Sequence, residues 1–263
     1  MIGISRASYY KWLNRIPTKR DLENTELRAE IIKLYDKVNG IYGYRRITMN
    51  LNKKLSKTYN YKRIYRIMKG LNLKSVIRKK KKRYVKSIAQ YTAENTLNRN
   101  FIAKAPNTKW LTDVTEFKYG DKKAYLSAIL DLYNNQIIGY ILGHRNNNDL
   151  VFKTLDLVLE KYPSSKALIH SDRGYQYTLN GFKQKLEIAG TKQSMSRVGK
   201  CIDNGPMEGF FGIIKSEMYY LNRFETFEEL QQSVDNYINF YNNKRLQQKL
   251  NNCSPVEFRA LAV

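Results

Sequence analysis

Three carboxylates, Asp113, Asp172 and Glu208, stand in segments whose composition suits an active site: WLTDVTEF, IHSDRGYQY and DNGPMEGFFGIIKSE. Acidic side chains drawn together from separate elements make an all-oxygen site for hard divalent cations. Two such cations stabilise both the attacking and the leaving oxygen of an in-line phosphoryl displacement. The chain carries a formal charge of +24, which points to the phosphate of a nucleic acid.

The positive charge is unevenly spread. Residues 1–105 hold 27 Lys and Arg against 6 Asp and Glu, whereas the remaining 158 residues hold 20 against 17. The front of the chain is the electrostatic grip and the back a nearly neutral body. Cys201 and Cys253 stand alone, and with His144 and His170 they form no zinc-site spacing. Two isolated cysteines make no disulfide framework, so a reducing interior is expected. No apolar run reaches the ~18–20 residues of a membrane span, and the opening segment lacks a signal-peptide core. The expectation is a soluble cytoplasmic protein, nucleoid-associated, with no membrane partner.

The elements that must position the three carboxylates are readable from periodicity. A short helix is expected over 1–16 with Ser5 as N-cap, closed by Pro17. A second runs from Asp21 to Val38, with Leu27, Ile31 and Leu34 on one buried face. Gly40 and Gly43 bracket a turn. YRRITMNLNKKL turns Ile47 and Leu51 inward, and YNYKRIYRIMKGLNL buries Ile64, Ile67 and Met68 while Lys62, Arg63, Arg66 and Lys69 project outward. The run from Arg78 to Arg83 reads as a basic arm that tracks phosphates. From Trp110 the pattern changes to three meandering strands, WLTDVTEFKYG, AYLSAILDLY and QIIGYILG. A helix capped by Asn148 or Asp149 follows, then a buried strand, KALIHS, that delivers Asp172 at its end. A helix over Leu179–Ala189, a strand in GTKQSMS and a helix capped by Asp203 or Asn204 complete a mixed α/β sheet of ribonuclease-H-like type. The stretch from Thr226 is helical, with a last short helix after Pro255.

Other acids have simpler readings. Asp131 fits turn hydrogen bonding, and Asp203 reads as a helix cap rather than a ligand. His170, two residues before Asp172, reads as structural support. Most of the 21 tyrosines are packing residues, and Trp110 is core. No cluster of Arg and His around a nucleophile marks a covalent tyrosine recombinase.

YGYRRI with KRIYRIMK resembles the helix-turn-helix segment of the OrfB-type transposases of bacterial insertion sequences, in the insertion-sequence-three family. The blocks WLTDVTEF, LDLYNNQIIGY, HSDRGYQYT, SMSRVGKCIDNGPMEGFFGIIKSE and YNNKRLQQKLNNCSPVEF are similar, in order, to that family's core, which is related to retroviral integrases. The resemblance implies a partial helix-turn-helix remnant over 1–20 and a helix-turn-helix DNA-binding domain over 21–77. It further implies a basic linker over 78–105, a ribonuclease-H-like catalytic core over 106–222 and a helical tail over 223–263.

The resemblance also implies an activity, namely cleavage of insertion-sequence ends and strand transfer to target DNA. Asp113, Asp172 and Glu208 fall on the family's metal-binding triad, which implies two Mg2+ ions during catalysis, with Mn2+ substituting. Lys215 falls on the basic position two helical turns after the glutamate. Together with Arg45, Arg46, Lys62, Arg63, Arg66, Lys69, Lys80, Lys81 and Arg245 it forms the expected DNA-contacting set. Two positions depart from the family's pattern. An arginine often stands where this chain has Asn135 or Gln136, and a histidine where it has Gln247; altered DNA contacts rather than lost chemistry are expected. The implied partners are DNA (terminal inverted repeats and target), further copies of the chain, and an OrfA partner or an OrfA–OrfB frameshift fusion. The rival reading is a catalytically inactive DNA-binding regulator or inhibitor of transposition.

Overall fold

The structure, a computed structural model, describes residues 5–77, 95–197 and 201–261. The chain divides into two compact units, Met1–Arg78 and Lys79–Val263.

The first unit is all helical. Ser5 caps α1 (Arg6–Leu13) by accepting from the Ser8 N–H at 3.2 Å, and the helix stops short of the expected residue 16. α2 (Lys19–Lys37) starts two residues earlier than expected because Thr18 closes a capping box. Its hydroxyl accepts from the Asp21 N–H, and the Asp21 carboxylate accepts from the Thr18 N–H. α3 (Tyr44–Leu55) and α4 (Tyr61–Gly70) follow. The pairs Leu27/Ile31, Ile47/Leu51 and Ile64/Met68 are buried, each pair spaced four residues apart on one helix face. Each such side chain contributes about 1.5–3 kcal/mol on burial. Leu34 and Ile67, expected inside, are half-buried at the margin of this core.

The second unit is built on a five-stranded sheet of order β3-β2-β1-β4-β5. β1 (Lys109–Tyr119), β2 (Lys122–Asp131) and β3 (Gln136–Gly143) form an antiparallel meander; β4 (Leu168–Ser171) and β5 (Lys192–Met195) run parallel to β1. α5 (Asn148–Lys161) and α6 (Asn180–Ile188) pack on one face. Their Val151, Leu155, Val158, Phe182 and Leu186 meet Trp110, Ile129 and Ile169 of the sheet. Contact here is close enough that a Cβ on Gly139 would lie 2.3 Å from Val158 Cγ2, so β3 requires glycine at that point. The N-cap of α5 is Asn147, just before the two expected candidates; its side chain accepts from the Leu150 N–H at 3.2 Å.

α7 (Gly205–Glu217) and α8 (Phe227–Asn243) cover the opposite face, with α9 (Pro255–Ala260) beyond them. Met207, Phe210 and Ile214 of α7 and Leu230, Val234 and Ile238 of α8 pack with Leu111, Phe117 and Leu126 of the sheet. The stretch from 223 is helical, as expected, and its α8 packs against the sheet. Among the described residues, no helix is long and apolar enough to cross a membrane.

Candidate active site

Alternation along β1 decides which way Asp113 points. Leu111 and Phe117, an even number of residues away on either side, belong to the core under α7 and α8; Trp110 belongs to the core under α5. Asp113 thus lies on the α7 side of the sheet, where it is half-buried. Its Oδ1 accepts from the Val114 N–H at 2.7 Å.

Parallel pairing brings up the second carboxylate. Leu111 pairs with His170, and two residues further along each strand come Asp113 and Asp172. The register therefore sets the two aspartates abreast, at the point where β4 ends. Asp172 Oδ1 accepts from the Gly174 N–H at 2.8 Å, closing a tight turn. A Cβ on Gly174 would lie 3.0 Å from that oxygen, so a larger residue would press on the carboxylate. Beneath the turn, His170 is fully buried, with Nδ1 2.9 Å from Ser194 Oγ and Nε2 3.1 Å from Ser196 Oγ. Burial pushes its pKa down to about 4, so it is neutral at neutral pH and fastens β4 to β5 and the residue that follows β5.

Glu208 comes from the first turn of α7. The start of that helix is tied to β1 by Asn204, whose Nδ2 donates to the Thr112 carbonyl at 3.2 Å. Asn204, not Asp203, stands at the cap position, and its side chain makes no capping bond. Asp203 is buried and serves instead as a clamp. It accepts from Arg197, from Arg99 Nε at 2.7 Å and from Asn95 Nδ2 at 2.9 Å. The Arg197 hydrogen bond is the main cause holding its carboxyl well below the usual range. Two turns after Glu208 on α7, half-buried Lys215 places its ammonium over the Phe117 ring, 5.3 Å from the centroid.

Like charges feel one another across this site. Burial, then the Asp172 carboxylate, push the Asp113 carboxyl up to about 8; Glu208 adds to the push, while the Val114 N–H and Lys215 oppose it. Partial loss of hydration, then the Asp172 carboxylate, raise Glu208. Partial loss of hydration also raises Asp172, opposed by the Gly174 N–H, and the exposure of both side chains lets water screen the effect. Among the described residues no three His, Cys, Asp or Glu side chains converge closely enough, as they stand, to hold an ion. Asp113 and Asp172 are instead each turned onto a backbone N–H. The donor set nevertheless fits a hard cation, being all oxygen and mutually repulsive.

The expected DNA-contacting residues fall into different places. Arg45, Lys62, Arg66 and Lys69 are exposed, and Arg46 is half-buried with its guanidinium over the Tyr42 ring. Arg63 is not a free outward cation. Its Nη2 pairs with Glu23 at 2.8 Å and also reaches Asn24, bonding α4 to α2. Arg245, expected on the DNA-contacting surface, is instead 4% exposed and paired through two nitrogens with buried Glu217, which also accepts from Tyr237 Oη. A charge so enclosed is a strut between α7, α8 and the segment after α8, not a surface for DNA. Glu217 carried a readable signal, since it falls on the inward stripe of α7 with Phe210 and Ile214, where a carboxylate demands an internal partner. Lys80 and Lys81, with the rest of the basic run, lie outside the described residues. Asp131 is buried and accepts from the Asn107 and Tyr133 N–H groups and from Arg259, as a turn residue would.

Residues 103–201 and 208–262 match the family described as integrase core domain, and residues 21–81 match an HTH-like domain. The putative transposase InsK for insertion sequence element IS150 of Escherichia coli (strain K12) is 40% identical over 257 residues, covering 97% of this chain and 90% of that protein. An uncharacterized transposase-like protein of Haemophilus influenzae is 43% identical over 200 residues, 76% of this chain and 93% of its own. Among solved structures, the simian T-cell lymphotropic virus intasome in complex with PP2A regulatory subunit B56 gamma is similar in fold. That likeness has a TM-score of 0.52 at 13% identity and covers 87% of this chain and 74% of that one. With 40% identity over nearly its whole length and two matches to the integrase core, this chain belongs to the insertion-sequence transposases that carry an integrase core.

Proposed function

We propose that Asp113, Asp172 and Glu208 are the catalytic carboxylates of a transposase that nicks insertion-sequence ends and joins them to target DNA. One observation carries the reading. Two carboxylates are set abreast by parallel strands with a third on the helix over the same face, and Asp172 pushes up the carboxyls of both Asp113 and Glu208 in a chain of charge +24. Such a cluster is unfavourable without a counter-ion, which supports its use as a cation site.

The three carboxylates would hold Mg2+, two ions during catalysis, with Mn2+ able to substitute. When bound, the ions supply Lewis acidity to the reacting phosphoryl group and its attacking and leaving oxygens. Asp113, on a paired strand, is the fixed member of the set. Glu208 projects, exposed, from the first turn of α7, so its distance from the aspartates follows the seating of that helix on Thr112. Lys215 holds a DNA phosphate beside the carboxylates and keeps Asp113 from rising further. The helical first unit, with Lys80 and Lys81 of the basic run, grips the duplex. The acting species is an oligomer on DNA, with an OrfA partner or as an OrfA–OrfB frameshift fusion.

The test is nicking of a duplex carrying the element's end by the purified chain. Nicks at the terminal phosphate that need Mg2+ or Mn2+ and vanish with chelator are expected. A chain that binds the duplex in Mg2+ and never nicks it is not the enzyme described here.

A further inference from the structure

All five acidic residues of the first 78, Asp21, Glu23, Glu26, Glu30 and Asp36, lie on α2. α3 and α4 carry none. The cations that look toward α2 are neutralised there. Arg63 and Lys57 reach Glu23 at 2.8 and 3.9 Å, and Lys54 pairs with Glu30. What remains on the outer face of α4 is Tyr61, Lys62, Tyr65, Arg66 and Lys69, all exposed. Among the described residues, Lys62, Arg66 and Lys69 have no carboxylate partner. Charge in the unit is therefore uneven: α2 balances its five acids with five bases, whereas α4 carries four bases and no acid.

The tyrosines are the unexpected part of that face. Tyr61 and Tyr65 are 47% and 49% exposed, and the core of the unit is complete without them. They are nonetheless held in place. Tyr44 of α3 meets Tyr65 edge-on at 5.2 Å and Tyr61 at 6.1 Å between ring centroids. The Arg45 guanidinium lies 5.8 Å from the centre of Tyr44 and 6.0 Å from that of Tyr61, and its Nε donates to Tyr44 Oη at 3.2 Å. Arg45 is thus the brace of an aromatic shelf. Rings fixed before binding lose little freedom on binding, which suits them to recognition.

One row of the helix is aromatic (61, 65) and the row beside it is cationic (62, 66, 69). The DNA major groove offers the matching arrangement, thymine methyl groups along base edges with phosphates at the rim. We propose that α4 enters the major groove with Tyr61 and Tyr65 against thymine 5-methyl groups and Lys62, Arg66 and Lys69 on the flanking phosphates. α2, which holds all of the unit's carboxylates and has no net charge to draw it to phosphate, faces away from the duplex. This rests on the reading of the chain as a transposase that grips DNA with its first unit, and adds the chemical feature it recognises.

The full-length chain is used to select sites from a pool of duplexes with a randomised centre. Each thymine of the selected duplex is then replaced by uracil, which deletes only the methyl group. At one or two thymines the wild type should bind about fourfold more weakly, the effect expected of one buried methyl. Tyr61→Ala or Tyr65→Ala should abolish that difference, and Tyr65→Phe should keep it. Lys62→Ala and Arg66→Ala should each lower the slope of log affinity against log salt by about 1 while leaving the thymine difference in place. The scan on the wild type needs no variant to fold. Duplex binding with no sensitivity to any thymine methyl overturns thymine reading and leaves the transposase assignment intact; absence of duplex binding overturns both the proposal and the DNA-gripping role of the first unit.

Discussion

The Lys215 ammonium lies over the Phe117 ring, and Phe117 follows Asp113 by four residues on the same face of β1. The strand thus supplies both the carboxylate and the platform for the cation that opposes its raised pKa. A lysine fixed in this way sets a positive charge beside the Asp113 carboxyl. Lys215→Ala should reduce affinity for an element-end duplex roughly tenfold, the loss of one charge-assisted hydrogen bond. Lys215→Arg keeps the charge and the ring contact and should retain most of it. Fluorescence anisotropy with a labelled duplex measures both.

Asp113 makes the metal-free protein less stable as pH rises. An unfolded aspartate titrates at 3.8, whereas the folded one titrates at about 8, so the native state binds the extra proton between these values. Relative stability is full below pH 3.8 and declines as pH rises to about 8. Asp113→Asn removes this dependence. In chelator its melting temperature should exceed the wild type's, by a margin that widens from pH 4 to pH 8. Added Mg2+ should narrow the gap by stabilising the wild type alone. Differential scanning fluorimetry across pH reads both effects.

Arg245 should behave as a structural residue. Arg245→Ala leaves the buried Glu217 carboxylate without its guanidinium, which costs about 3–5 kcal/mol. Adding Glu217→Gln should recover part of the loss, because an amide is cheaper to bury than a charge. Denaturant unfolding of the single and double variants gives the coupling.

Arg63 and Lys62 are neighbours on α4 with opposite expected phenotypes. Arg63→Ala should cost about 1 kcal/mol in stability, since its partners Glu23 and Asn24 are partly solvated. Its effect on the salt slope of DNA binding should be small. Lys62→Ala should leave stability unchanged and lower that slope by about 1. Paired melts and salt titrations of the two variants separate the roles.

The strands of the core were legible because their signal is local. Apolar and polar positions alternate in WLTDVTEF, and the short apolar run in KALIHS is bounded by turn residues. Helix starts were less so. The Thr18 box moved the start of α2 two residues back, and Asn147 took the place of the two expected caps of α5, because the choice among adjacent capping residues depends on the backbone angle at which the chain arrives. Partnerships across long separations could not be read locally. Arg245 and Arg63 looked like surface cations because the carboxylates that neutralise them, Glu217 and Glu23, are distant in sequence. The site itself lay between these cases. The three carboxylates were legible as types at suggestive positions, but setting Asp113 and Asp172 abreast needed the β1–β4 register.

The most direct measurement is strand transfer of a labelled element-end duplex into supercoiled target DNA in Mg2+, with the wild type beside Asp113→Asn, Asp172→Asn and Glu208→Gln. The wild type should yield products joined to the target. Each amide variant should lose at least about a thousandfold in joining, as expected when a group that stabilises the transition state is removed, while binding the same duplex with nearly unchanged affinity. Full Mg2+-dependent joining by Asp113→Asn, or duplex binding by the wild type with no joined product, would contradict the assignment and leave a DNA-binding regulator in its place.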